Sequence, residues 1–156
     1  MILEVYFDGA GTPQNKYMFA VFECENGALT LIHKQLFEHL EHITNNQAEY
    51  YGLIEAFRWL LNNIEKIKGK DVCVYGDSSL VINQVLGVFA VKNKKLRPLC
   101  EICKKIYEEL KKNCQIHLIW VAREYNMAGI LIEKENPTEY KQNQIVTIES
   151  ENFLFE

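Results

Sequence analysis

Several features that would place this chain in a special class are missing. No apolar run approaches the ~20 residues needed to cross a bilayer, and the opening MILEVYFDGAG lacks the basic-then-apolar layout of a secretory signal. A cytoplasmic location is the resulting expectation. No internal repeat or low-complexity segment is visible. No P-loop pattern occurs, which sets aside a small α/β phosphotransferase. An excess of positive charge is also absent: 17 Lys and Arg face 21 Asp and Glu, for a net charge of −4. That balance runs against the usual electrostatics of phosphate recognition.

The cysteines exclude two more classes. Five is an odd number, so a complete disulfide framework is not expected. Cys100 and Cys103 form a CxxC pair inside the helical pattern LRPLCEICKKIYEEL. With no second CxxC or histidine pair, no zinc site is completed, and both are expected as thiols on one helix face. His33, His39 and His42 show no metal spacing. His117 and Trp120 fall on the last predicted strand, with Trp120 assigned to the core.

What remains is an ordinary globular composition, 48% hydrophobic and 24% charged over 156 residues, enough for one compact domain with its own core. Residues 2–8, 17–24 and 28–38 read as strands, and Asn26-Gly27 marks a hairpin between the second and third. From Tyr50 the apolar residues recur at helical spacing through Leu53, Phe57 and Leu60. Thr44 and Gln47 have the spacing of a capping box, so this helix should begin in TNNQ. A short strand over 71–76, helices over 78–86 and 96–112, a strand over 115–121 and a helix near 124–133 follow. The order predicts an α/β fold: a five-stranded mixed sheet, an antiparallel three-strand meander plus parallel strands, flanked by helices. The domain should span 1–134. The segment 135–156 alternates like a strand in NQIVTIESENFLF; adding a strand, covering the sheet edge and pairing with another chain all remain open.

Three acids occupy positions where an apolar context makes them conspicuous. Asp8 ends the first strand, Glu49 lies beside the apolar stripe of the long helix, and Asp77 follows the strand DVCVYG. Parallel strands deliver their carboxyl ends to one edge of a sheet, where α/β folds place ligands. Three carboxylates brought together repel and take up protons unless a cation holds them. Mg²⁺ or Mn²⁺ suits an all-oxygen site, and two such ions can activate a water and stabilise a departing phosphodiester oxygen.

FDGAG at 7–11, TNNQAEYYGLIEAF at 44–57, YGDSSLVINQV at 75–85 and WVAREYN at 120–126 together resemble, in order, the four motifs of type 1 ribonuclease H. The resemblance implies an endonuclease cleaving the RNA strand of RNA–DNA hybrids with two Mg²⁺ or Mn²⁺ ions. It implies Asp8, Glu49 and Asp77 as catalytic metal ligands, with Asp8 bridging the ions. Asn45 and Asn46 match positions contacting the hybrid at the minor groove; an amide that donates and accepts suits a 2′-hydroxyl. Ser79 replaces a glutamine frequent in relatives. Lys92, Lys94 and Lys95, in VKNKKLRP, fall where some members carry a longer basic protrusion, which predicts weaker hybrid binding here or dependence on a partner. The fourth family aspartate, four residues after Asn126, is replaced by Ile130, which cannot bind a cation. Two readings follow. Glu133, three residues beyond Ile130, takes over as catalytic and metal ligand; or the site has lost one ligand and the chain is a slow enzyme or a hybrid-binding module without turnover. A related nuclease acting on another nucleic acid, DNA or single-stranded RNA, is a separate alternative.

Overall fold

The computed structural model describes the backbone of residues 1–134 and side chains through Leu131; the predicted extension 135–156 lies outside the described residues. The meander consists of β1 (Ile2–Ala10), β2 (Lys16–Glu25) and β3 (Ala28–Glu38). Asn26 and Gly27, both with positive φ, make the β2–β3 turn as the Asn-Gly pair predicts. The long helix α1 (Asn45–Asn62) is capped as read: Gln47 N donates to Thr44 Oγ1 at 3.1 Å, and Thr44 N donates to Gln47 Oε1 at 2.9 Å. A single turn α2 (Ile64–Ile67) precedes β4 (Asp71–Gly76). Then come α3 (Ser79–Val85), α4 (Arg97–Lys111, with Pro98 in its first turn), β5 (Gln115–Trp120) and α5 (Met127–Lys134).

The five strands form one sheet in the order β3-β2-β1-β4-β5. β1 pairs antiparallel with β2 and parallel with β4, and β4 pairs parallel with β5. This is the mixed sheet expected from the element order. One face carries Val5, Phe7, Phe19, Val72 and Val74, which are buried against α1, α3 and α4. The other carries Tyr6, Met18, Ala20, Phe22 and Leu36, packed with Ala128 of α5. Because side chains alternate along a strand, β1 feeds both cores. Cys100 and Cys103 are buried on one side of α4, as expected, and every cysteine is a free thiol.

Trp120 departs from its expectation. It is 52% exposed, not a core residue. β5 is an edge strand that alternates buried Ile116 and Leu118 with outward positions, and position 120 ends the strand beyond the helical cover.

Candidate active site

The central pairing of β1 with β4 sets the site. Running parallel, with Tyr6 opposite Tyr75, the two strands end side by side, so Asp8 and Asp77 emerge at the same edge. Glu49 comes from the second turn of α1, which crosses β1 at close range. A side chain at Gly9 would collide with the backbone of Ala48 and Glu49, so only glycine allows this approach.

Carboxylate oxygens of Asp8, Glu49 and Asp77 lie within 4.8 Å of one another. They stand in an open cleft of about 500 Å³, whose wall also includes Thr12, Lys16, Asn45 and Arg123. Glu49 is buried, and its Oε2 has no hydrogen-bond partner. Burial, followed by the negative charge of Asp8, holds the Glu49 carboxyl well above the usual carboxylate range. Burial also raises Asp8, opposed in part by its hydrogen bond with Glu49 and by Arg123. A buried acceptor without a donor, inside a set of mutually repelling oxygens, fits a hard divalent cation.

Asn126 binds the site together. Fully buried, it donates from Nδ2 to the Phe7 carbonyl at 2.9 Å and to Asp77 Oδ2 at 3.1 Å, while its Oδ1 accepts from Ala128 N at 3.1 Å. One amide thus caps α5, fixes it to β1 and orients an acid. Trp120 reaches the backbone of the same residue, its indole N–H donating to the Asp77 main-chain carbonyl at 3.1 Å.

The remaining predicted positions spread around this centre. Asn45 lines the cleft and is exposed; its Oδ1 accepts from Gly11 N at 2.9 Å, which leaves its amide nitrogen to offer a ligand. Asn46 is exposed beside it. Ser79 is exposed at the start of α3, its Oγ accepting from Asn83 Nδ2 at 3.1 Å. Lys92, Lys94 and Lys95 are exposed ahead of α4 and do not line the acidic cleft. Lys95 instead lines a larger groove of about 680 Å³, together with His39, His42 and Gln47. That groove mixes Lys95 and Lys105 with Glu41 and Glu101 and holds no three-acid cluster. Position 133 lies in α5, with its side chain outside the described residues. Ile130 is partly buried on the same helix.

Sequence reasoning did not single out Arg123, Lys16 or Thr12. Arg123 stood inside the quoted WVAREYN segment, and its charge was the signal available. Nothing local marks Lys16 or Thr12, because only the folded meander brings them to the cleft.

Comparison with known proteins agrees with this fold. A family model described as reverse transcriptase-like matches residues 7–131. A ribonuclease H1 isolated from compost by a metagenomic approach (LC11-RNase H1) is 26% identical, with a TM-score of 0.67, covering 83% of this chain and 91% of that one. The same enzyme in complex with an RNA/DNA hybrid is 25% identical, with a TM-score of 0.65, over 80% of this chain and 88% of that chain. The ribonuclease H1 of the halophilic archaeon Halobacterium salinarum NRC-1 shares the fold at 22% identity, with a TM-score of 0.66 and coverage of 82% and 91%. With a family model spanning most of its length and the expected sheet order, this chain belongs to the reverse transcriptase-like family and has the type 1 ribonuclease H fold.

Proposed function

We propose that the protein is an endoribonuclease that hydrolyses the RNA strand of RNA–DNA hybrids, leaving a 3′-hydroxyl and a 5′-phosphate. The convergence of Asp8, Glu49 and Asp77 carries this reading. These three acids would hold two divalent cations, Mg²⁺ or Mn²⁺. Such ions lower the pKa of an attacking water and offset charge on the leaving 3′-oxygen. Asn126 keeps Asp77 in place through its buried amide. Lys16 and Arg123, on the cleft wall, bring positive charge toward the phosphate backbone. Asn45 and Asn46 stand at the start of α1, where an amide can meet a ribose hydroxyl and where the helix N-terminus favours phosphate. Ser79 and Lys92, Lys94 and Lys95 extend the surface along which a duplex would lie.

Glu133 supplies the fourth carboxylate in this reading. A Cβ placed on Gly129 would lie 3.0 Å from Asp8 Oδ2, so this face of α5 looks onto the acid and carries no side chain there. Position 133 is one helical turn further along the same face.

The test is incubation of the full chain with a labelled RNA–DNA hybrid in Mg²⁺, in Mn²⁺ and in chelator. Cation-dependent cuts in the RNA strand are expected. Ile130, in place of an acid, favours a second reading, a hybrid-binding module without turnover; tight binding with no cuts under any cation would establish it. Cleavage of DNA or single-stranded RNA in preference to the hybrid would reassign the substrate.

A further inference from the structure

The face of the sheet that carries α5 is only partly covered. Strand partners point to the same side, so the register places Ile2, Cys24 and Leu29 in one row across β1, β2 and β3. Leu31 sits opposite Phe22 in the adjacent row, on the same side. α5 covers the end of this face near Asp8, with Leu131 packed into the cluster of Tyr6, Met18 and Phe22. At the other end Ile2 is 41% exposed, Leu29 40% and Leu31 41%. An apolar row reaching an edge strand invites pairing with another chain unless something covers it.

The chain carries a candidate cover. Twenty-two residues follow Lys134, containing the apolar positions Ile145, Val146 and Ile148 and the cluster Phe153, Leu154 and Phe155. α5 travels on this face, so the segment sets out from it. Fully extended, 22 residues reach roughly 70 Å, against about 20 Å across five strands. Charge points the same way. The segment holds five acids and one lysine, leaving 16 acidic and 16 basic residues in 1–134, so the whole net charge of −4 resides beyond Lys134. The row of Ile2 and Leu29 is at the opposite end of the strands from Asp8, about 20 Å along β1. Seated there, the acids stay clear of the mutually repelling carboxylates of Asp8, Glu49 and Asp77.

We propose that residues 135–156 fold back on their own domain and cover Ile2, Leu29 and Leu31 with their apolar side chains. The proposal does not depend on the nuclease reading.

Two native thiols report on it. Cys24 and Cys73 are the half-buried cysteines, and both lie on this face, whereas Cys100, Cys103 and Cys114 are buried. The full chain is labelled with iodoacetamide under native conditions, and modification is located by peptide mass mapping. The triple variant Ile148→Ser, Phe153→Ser, Phe155→Ser is compared with it. Cys24 should react about tenfold faster in the variant, as expected when a covering segment opens locally. Leu31→Ser should give a similar increase, and combining it with the tail changes should add little, because both remove one contact. If the triple variant also exposes Cys103, the single change Ile148→Ser takes its place. Equal Cys24 rates in all these chains would overturn the proposal. So would a dimer in light scattering with Cys24 rates that fall as protein concentration rises, since a second copy would then be the cover.

Discussion

Asn126 Nδ2 lies 3.1 Å from Asp77 Oδ2, and the same nitrogen donates to the Phe7 carbonyl at 2.9 Å. The last helix is therefore fastened by one fully buried amide to the strand that carries Asp8 and to the carboxylate of Asp77. Asn126→Ala should lower stability by about 1–3 kcal/mol, because the Phe7 carbonyl and Ala128 N–H lose their partner in the interior. It should also raise the Mg²⁺ concentration needed for half-maximal cleavage. Urea unfolding and a cation titration read the two effects separately, and wild-type values in both would remove Asn126 from the site.

Asp8→Asn should abolish cleavage of the hybrid while leaving the fold intact. Asp8 shares a hydrogen bond with Glu49 and meets the negative charge of Asp77, and the amide is nearly isosteric but neutral. Far-ultraviolet circular dichroism checks the fold, and a gel assay checks the cuts. Full activity in this variant would remove the assigned role.

Stability without cations should depend on pH through Glu49. Its folded pKa is held well above the usual value by burial and by Asp8, whereas the unfolded chain titrates near pH 4.3. Between these points the native state binds the extra proton, so stability is present at low pH and is lost as pH rises through the folded pKa. In chelator, Glu49→Gln should therefore be more stable than wild type at pH 8, by on the order of 1–3 kcal/mol, and the difference should shrink toward pH 4. Added Mn²⁺ should reverse the order at pH 8 by stabilising only the intact cluster. Melting curves at several pH values, with and without the metal, decide this.

Gly129→Ala tests the spacing between α5 and the acids. The new methyl would sit 3.0 Å from Asp8 Oδ2, closer than ordinary van der Waals contact, so the carboxylate must shift. Alanine favours the helix by roughly 1 kcal/mol over glycine, yet cation affinity should fall. A helix made more stable with weaker Mn²⁺ binding by calorimetry is the expected pair of results; unchanged binding would show that the acid has room to spare.

Glu133→Gln should slow cleavage by at least about tenfold, a loss of roughly 1.4 kcal/mol of transition-state stabilisation, whereas Ile130→Ala should leave the rate near that of wild type. Equal, small effects would exclude Glu133 as the fourth ligand. Single-turnover assays keep the comparison on the chemical step.

Much of the fold was legible because its signals are local. The Asn26-Gly27 turn, the Thr44–Gln47 capping box and the 3.6-residue spacing from Tyr50 to Leu60 depend on backbone dihedrals and on neighbours within one or two turns. The motif letters around Asp8, Glu49 and Asp77 were legible for the same reason, each within a short window. Trp120 was misplaced because its burial depends on how far the helices reach along the sheet, and that is not written in the strand itself.

The chain's linear order thus determined the elements, their caps and the identity of the acids, since hydrophobic period and turn chemistry act over a few residues. Only the tertiary structure decided that β1 lies beside β4, so that Asp8 meets Asp77; that Gly9 lets α1 bring Glu49 to them; and that one amide of Asn126 reaches both Phe7 and Asp77. Those are distances between atoms far apart along the backbone. They are set by the packing of two cores on a single sheet, which no short window of sequence contains.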